Sequence, residues 1–246
     1  MIGVYEGFVN SNKLYSVVMS GSSSTGKISQ ANFKTYARNR GDGFTLVKWK
    51  HQNIMAFLYY AMYGNTNCQA SIGYGTASYS KEMGVTSELG MSDTVAGGNG
   101  DSNSIKFWGL ENWWGNKNEF IDNVIVNPKS ANGLWRITED DGTTRDVQGI
   151  KMDGYPMEFV IGRYLDVIPK TDSGNYTAGY CDYIFTNSVY TDRVVLRSGG
   201  NASGGGGVAL ASASSGSSGL DASFGTRLAY QGDITEIEDV AEFKIL

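Results

Sequence analysis

Three carboxylates and three tryptophans crowd one short run of this chain, FWGLENWWGNKNEFIDN, Phe107 to Asn123. Glu111, Glu119 and Asp122 are the acids, and Trp108, Trp113 and Trp114 the indoles. Flat aromatic faces beside carboxylate acceptors are what a sugar-binding cleft needs. A carboxylate pair about 5–10 Å apart would also suit glycoside hydrolysis. The plainer reading is a core segment, with rings filling space and Gly115-Asn116 making a tight turn. Local spacing brings no two of the acids face to face, so the core reading is preferred.

Other reactive side chains are scarce. His51 is the only histidine, so no site with two or three histidine ligands can be built within one chain. It lies in the most helix-like stretch, FTLVKWKHQNIMAFLYYAMYG, and is expected on that helix's polar face or boundary. Cys68 and Cys181 are far apart in sequence and are read as small buried thiols, with a pairing between them as the alternative. Glu139-Asp140-Asp141-Gly142 is acidic enough for calcium, but an ordinary β-turn explains it, and neither metal nor cofactor is expected.

Composition narrows the function classes. A net charge of −5 gives no basic face for a phosphate backbone, so nucleic acid is not an expected partner. No apolar run is long enough to insert into a membrane. The opening MIGVYEGFVNSNKLY lacks the charged and apolar regions of a signal peptide. With 33 Gly against 3 Pro, and 15 Tyr, the chain reads as loop-rich with a surface suited to contacts.

The elements that must position these residues are short. VYEGF and LYSVVM, joined by VNSNK, predict an opening hairpin, and QANFKTYARNRG a short helix ending near Gly41. A second helix is expected over 46–63, stopped by Gly64-Asn65. Residues 66–104 lack sustained periodicity and suit a packed irregular region. IKFWGL, GLWRIT, RDVQGIKM, MEFVIG, YCDYIF, RVVLR and TRLAY read as strands, with a last one at 242–246. The expected architecture is one α+β domain over 1–246, either a whole chain or the C-terminal part of a longer protein.

One stretch resists this reading. Between Ser198 and Gly219 every residue is Gly, Ser or Ala except Asn201, Val208 and Leu210. Composition makes it a linker, yet too few residues follow it to form an independent core.

Flanking motifs explain it better. Leu110-x-x-x-Trp114-Gly115-Asn116-x-x-Glu119-Phe120-x-Asp122 resembles the L-x-x-x-x-G-N-x-x-E-W-x-x-D signature of the formylglycine-generating (sulfatase-modifying) branch of the C-type lectin fold. Arg197-Ser198-Gly199-Gly200 resembles that family's R-G-G-S motif, and Phe224-Gly225-Thr226-Arg227-Leu228-Ala229 its terminal G-F-R-L/C-A. Upstream, NFKTYARNRG and AMYGNTNCQA are similar to the opening of bacteriophage and gut-bacterial versions. The resemblance spans nearly the whole chain, and the motifs come in the family's order.

The resemblance implies a C-type lectin fold with short strands, two early helices and long irregular loops. The family's enzymes carry a cysteine pair near the third motif, and the related sulfoxide-forming enzymes an iron site built on histidine. This chain has no cysteine after Cys181 and a single histidine, so neither activity carries over. What is left is the non-catalytic branch, including the variable proteins of diversity-generating retroelements and phage tail receptor-binding proteins. In that branch residues 197–230 would form a variable surface binding a host cell-surface glycan or protein.

The expected contacts are Asn201, Ser203, Leu210, Ser212, Ser214 and Ser215, continuing through Ser217, Ser218, Leu220, Asp221 and Ser223. Few of them look like core. Tyr180, Tyr183 and Tyr190 would frame the site and supply aromatic area. The location would be a phage tail or a bacterial surface, with homo-oligomer or virion neighbours as further partners. Two alternatives stand beside this reading: a structural virion or pilus component, and a degenerate formylglycine-generating-type enzyme or glycan hydrolase using Glu111, Glu119 or Asp122.

Overall fold

The structure is a computed structural model, and it describes residues 1–18, 21–94, 103–127, 133–150, 153–162, 167–171, 173–175, 181–186, 192–199 and 206–233. The expected strand at 242–246 lies outside them. The described chain opens with the hairpin β1 (Phe8–Asn10) and β2 (Lys13–Tyr15), followed by helix α1 (Gln30–Arg38), strand β3 (Phe44–Leu46), helix α2 (Trp49–Tyr63) and the single turn α3 (Cys68–Ser71). Short strands β4 (Asp93–Thr94), β5 (Ile105–Phe107) and β6 (Leu110–Glu111) lead into β7 (Asn118–Asn127), the longest strand. Then come β8 (Leu134–Thr138), β9 (Thr144–Gln148), β10 (Phe159–Ile161), β11 (Val167–Pro169) and β12 (Ile184–Phe185). The last are β13 (Arg193–Arg197), β14 (Ala211–Ser215), β15 (Phe224–Gly225) and β16 (Leu228–Tyr230). The fold is mixed and sheet-rich with few helices, in keeping with an α+β class.

The main sheet runs β12-β14-β13-β7-β8-β9, with β15 added in parallel to the start of β7. Alternate residues of its strands feed two apolar clusters. Val195, Ala211, Ala213 and Trp135 join Trp49, Met55 and Tyr59 of α2, whereas Val194, Leu196 and Phe120 join Phe33 and Ala37 of α1. One helix therefore covers each face. Two residues of β13, Val194 and Leu196, span Ile125 to Phe120 on β7, so β7 bulges between them. The bulge turns Asp122 and Asn123 toward the β3–α2 junction. There the Asp122 N–H donates to Val47 O (2.9 Å) and Asn123 Oδ1 accepts from Trp49 N–H (2.9 Å).

Several elements differ from their sequence expectation for local reasons. The opening turn is only Ser11-Asn12, both at positive φ (49° and 57°), so Val9, Asn10 and Lys13 of the expected loop join the ladder. The second helix begins at Trp49 because Phe44–Leu46 pairs with β16. Its stop at Gly64 is as expected, in the left-handed region at φ 64°. IKFWGL is not one strand but the hairpin β5–β6, turning on Trp108-Gly109.

Trp108 is an unusual choice for that turn. It sits at φ 50° and is 44% exposed, where Asn is normally favoured. A bulky residue in that conformation costs about 1 kcal/mol. Trp108→Asn is therefore expected to raise the melting temperature by about 3 °C, readable in a thermal melt. An unchanged or lower value would show that the indole contributes more than the turn strain removes.

Candidate functional site

The acids of the Trp-rich run are structural in their contacts. Glu119 is fully buried and sits between two fully buried arginines. Arg197 faces it across the β7–β13 ladder and Arg227 lies two residues past Gly225, its partner on β15. Arg197 bonds one carboxylate oxygen, and Arg227 Nη2 lies 3.0 Å from the other. The Arg197 guanidinium also stacks 3.4 Å from the Trp113 ring centroid and donates to Trp113 O (2.8 Å). Arg227 donates to Val4 O (2.7 Å) and Glu111 O (2.6 Å), which ties the N-terminal segment to β6. Residues from all three quoted motifs thus meet at one carboxylate.

The other two acids are equally engaged. The Glu111 carboxylate accepts from the N–H groups of Gly84 (2.8 Å) and Thr86 (2.9 Å) and from the Thr86 hydroxyl (2.8 Å). Asp122 pairs with Lys34 at 2.7 Å and accepts from the Thr45 hydroxyl. His51 closes the start of α2, its Nδ1 accepting from Lys48 N–H (3.1 Å), and burial lowers its pKa to about 4. Both cysteines are free and buried. In the acidic turn, Asp141 accepts from Thr143 N–H (2.9 Å) while Asp140 pairs with Lys48 (2.6 Å) and Lys50. Among the described residues no group of three His, Cys, Asp or Glu side chains is placed to hold a metal ion.

The Gly/Ser stretch is not a linker, and it is not all loop. Its ASASS run is β14, a strand inside the main sheet between β12 and β13. Ala211 and Ala213 are buried in the core, and Ser212 and Ser214 point to the other face. The segment before it is held by buried side chains. Gln52 Nε2 donates to Val208 O (2.5 Å) and Gln69 Nε2 to Gly206 O, while Val208 N–H donates to Cys68 Sγ (3.3 Å). Ala209 N–H donates to Asp182 Oδ2 (2.7 Å), a buried carboxyl that desolvation pushes up to about 8. Gly207 sits so close that a β-carbon there would overlap the Asp182 carboxyl.

Beside β14 lies an open groove of about 240 Å³. Buried Leu196 and Leu210 form its floor next to Gly199, whose φ of 66° and packing against Leu210 exclude a side chain. Tyr79, Phe185 and Phe224 line it, and Ser212, Ser214, Ser215 and Asn118 add polar groups. The aromatic wall is braced. Phe224 packs edge-on against Phe120 (centroids 5.6 Å), and Phe185 leans on Tyr183 (4.5 Å), itself edge-on to Tyr155 (4.9 Å). Lys117 Nζ donates to Tyr79 O and to Ala222 O (2.8 Å), joining the Tyr79 loop to the Phe224 strand.

The expected contact residues divide accordingly. Ser212, Ser214 and Ser215 line the groove, and Leu210 does so only as a buried floor residue (4% exposed), so its display is corrected. Ser223 is buried too, its hydroxyl donating to Asp221 Oδ1 (2.6 Å) within a turn. Ser217, Ser218, Leu220 and Asp221 are exposed but do not line the groove. Their turn rests on the start of α1, where Gln30 N–H donates to Ser217 O (3.2 Å) and Lys27 N–H to Asp221 O (2.9 Å). Asn201, Ser203, Tyr180 and Tyr190 lie outside the described residues. Tyr183 supports Phe185 rather than lining the groove itself.

Sequence reasoning missed Tyr79, Asn118, Phe185 and Phe224 as site residues. The alternation in ASASS and the aromatic end of YCDYIF were the available signals. Tyr79, in an aperiodic region, offered none. Two other hollows are less suited to a ligand. One of about 30 Å³ beside α2 has room for a single water, and one of about 210 Å³ near Met1 and Phe44 is almost wholly apolar. No described helix is long and apolar enough to cross a membrane. No protein-family model matches the chain, and no curated protein matches it.

Proposed function

We propose that the chain is a non-enzymatic ligand-binding module with the C-type lectin fold of the formylglycine-generating type. Its ligand is a host cell-surface glycan or protein, its setting a phage tail tip or bacterial surface, and its variable region residues 197–230. The observation that carries this reading is the bracketing of β14 by motif residues. Arg197 and Arg227 both close on buried Glu119, and the strand between them lines an open groove through alternate serines. A rigid base under side chains with little share in the core is the arrangement a binding surface needs. The internal commitments of Glu111, Glu119 and Asp122 support a scaffold role for the acids over a hydrolytic one.

The test is binding to a panel of intact bacterial cells, measured by flow cytometry with labelled protein. Ser212→Gln with Ser214→Gln should fill the groove from its solvent side, leave the melting temperature within a few degrees, and reduce binding to a responsive strain about tenfold, which is ~1.4 kcal/mol. Undiminished binding by a folded double variant would mean that the groove is not the receptor site, and no binding of the unaltered protein to any strain would favour the structural virion or pilus component.

A further inference from the structure

We propose that the groove beside β14 takes one neutral hexopyranose unit. This inference rests on the ligand-binding reading above and names the chemistry of its ligand. Four observations lead to it.

The first is charge. Among its described lining residues the groove has aromatic rings, hydroxyls, one amide and aliphatic groups, and no Lys, Arg, Asp or Glu. A carboxylate or sulfate entering it would lose hydration without gaining a counter-charge, which is costly. Lys117, next to Asn118, is already committed to the carbonyls of Tyr79 and Ala222. Acidic sugars and phosphorylated groups are therefore disfavoured.

The second is the pairing of ring faces with hydroxyls. A pyranose has a face of weakly positive C–H groups and a rim of hydroxyls. Tyr79, Phe185 and Phe224 line the groove, and aromatic residues are the side chains whose ring faces attract such C–H groups. Serine hydroxyls, each able to donate once and accept twice, offer partners for the latter.

The third is spacing. Ser212 Oγ and Ser214 Oγ stand 2.9 Å apart on one face of β14 and bond each other. Two hydroxyls at hydrogen-bond distance match the adjacent hydroxyls of a pyranose ring, so a sugar diol can bridge them. A purely apolar ligand would leave this pair covered and without its water partners.

The fourth is size and rigidity. About 240 Å³ lies below the usual range for drug-sized ligands and suits a small one such as a single sugar ring. The Phe185 and Phe224 rings are braced from behind by Tyr183 and Phe120, so little side-chain freedom is lost on binding.

The experiment is a titration of the full chain with methyl α-glucoside, methyl α-mannoside and methyl β-galactoside. N-acetylneuraminic acid and glucuronic acid serve as the charged comparison, and binding is read by saturation-transfer NMR and chemical-shift perturbation. At least one neutral methyl hexoside should bind with Kd on the order of millimolar, as expected for a single small ring. Phe185→Ala and the pair Ser212→Ala, Ser214→Ala should each weaken it about tenfold while far-UV circular dichroism stays unchanged. Binding of the acidic sugars alone, or of none of the five, overturns the inference. A parallel arm separates this failure from failure of the parent reading. If cell binding needs the groove serines but survives periodate treatment of the cells and is lost on protease treatment, the ligand is a protein. The ligand-binding reading would then stand while the sugar inference falls. If cell binding ignores the groove altogether, both fall.

Discussion

Glu119→Ala is expected to leave little folded protein at room temperature. The carboxylate is fully buried between Arg197 and Arg227, also fully buried. Breaking a buried ion pair by removing one partner costs about 3–5 kcal/mol, and here two guanidiniums lose the same partner. Domains of this kind hold only about 5–15 kcal/mol in total. Circular dichroism with a urea titration should show a midpoint near zero or no cooperative transition at all. Glu6 sits close enough for the Glu119 charge to act on it; its carboxylate accepts from the Ser24 hydroxyl (2.8 Å) and Lys117 N–H (3.2 Å). It can take up part of the released positive charge, so Glu6→Gln combined with Glu119→Ala should be worse than the sum of the two. Glu119→Gln keeps the shape and one acceptor oxygen while its NH2 faces a guanidinium, so it should fall between. A stable, cooperatively folding Glu119→Ala protein would contradict the scaffold role of all three motifs at once.

Stability should fall, not rise, as pH goes from about 6.5 to 8. Burial raises the Asp182 pKa from an ordinary 3.8 to about 8, and Glu6 from 4.5 to about 7. In the unfolded chain both are ionised above pH 5, so across this window the native state binds more protons. By linkage each such group lowers stability by up to roughly 1.4 kcal/mol per pH unit as pH rises toward its folded pKa. His51 has the opposite sign, its pKa depressed from 6.5 to about 4, but most of its contribution is gained below pH 6.5 and only about 0.4 kcal/mol is added above it. Urea midpoints measured at half-unit steps should therefore decline between pH 6.5 and 8, by on the order of 2 kcal/mol in total. Asp182→Asn, whose amide oxygen can still accept from Ala209 N–H, should flatten most of that decline. A profile that climbs through neutrality would mean that Asp182 is ionised and has a cationic partner.

How far the sequence carries toward this structure depends on which interaction fixes each element. α1 was legible because Ser29 caps it and Phe33 and Ala37 recur at helical spacing. The stop of α2 was legible from Gly64. The ends of the hairpins were not, since Ser11-Asn12 and Trp108-Gly109 turn by positive φ that no composition rule demands. β7 escaped notice because its bulge breaks the two-residue alternation, so Ile121, Val124 and Val126 share a cluster despite their spacing. The Glu119 cluster was foreseeable in its members, as each belongs to a quoted motif, though not in its geometry. The groove was half legible. Its serines lay in the segment singled out, but Tyr79 and Asn118 reach it only through tertiary packing.

The alternation in β14 has one more consequence, and it concerns heredity. Ala211 and Ala213 fill space that no larger side chain can enter without displacing the core, whereas Ser212 and Ser214 face outward. As far as the fold is concerned, codons 212 and 214 can be rewritten, while 211 and 213 cannot. Any process that shuffles this stretch and keeps the protein alive must write on every second codon.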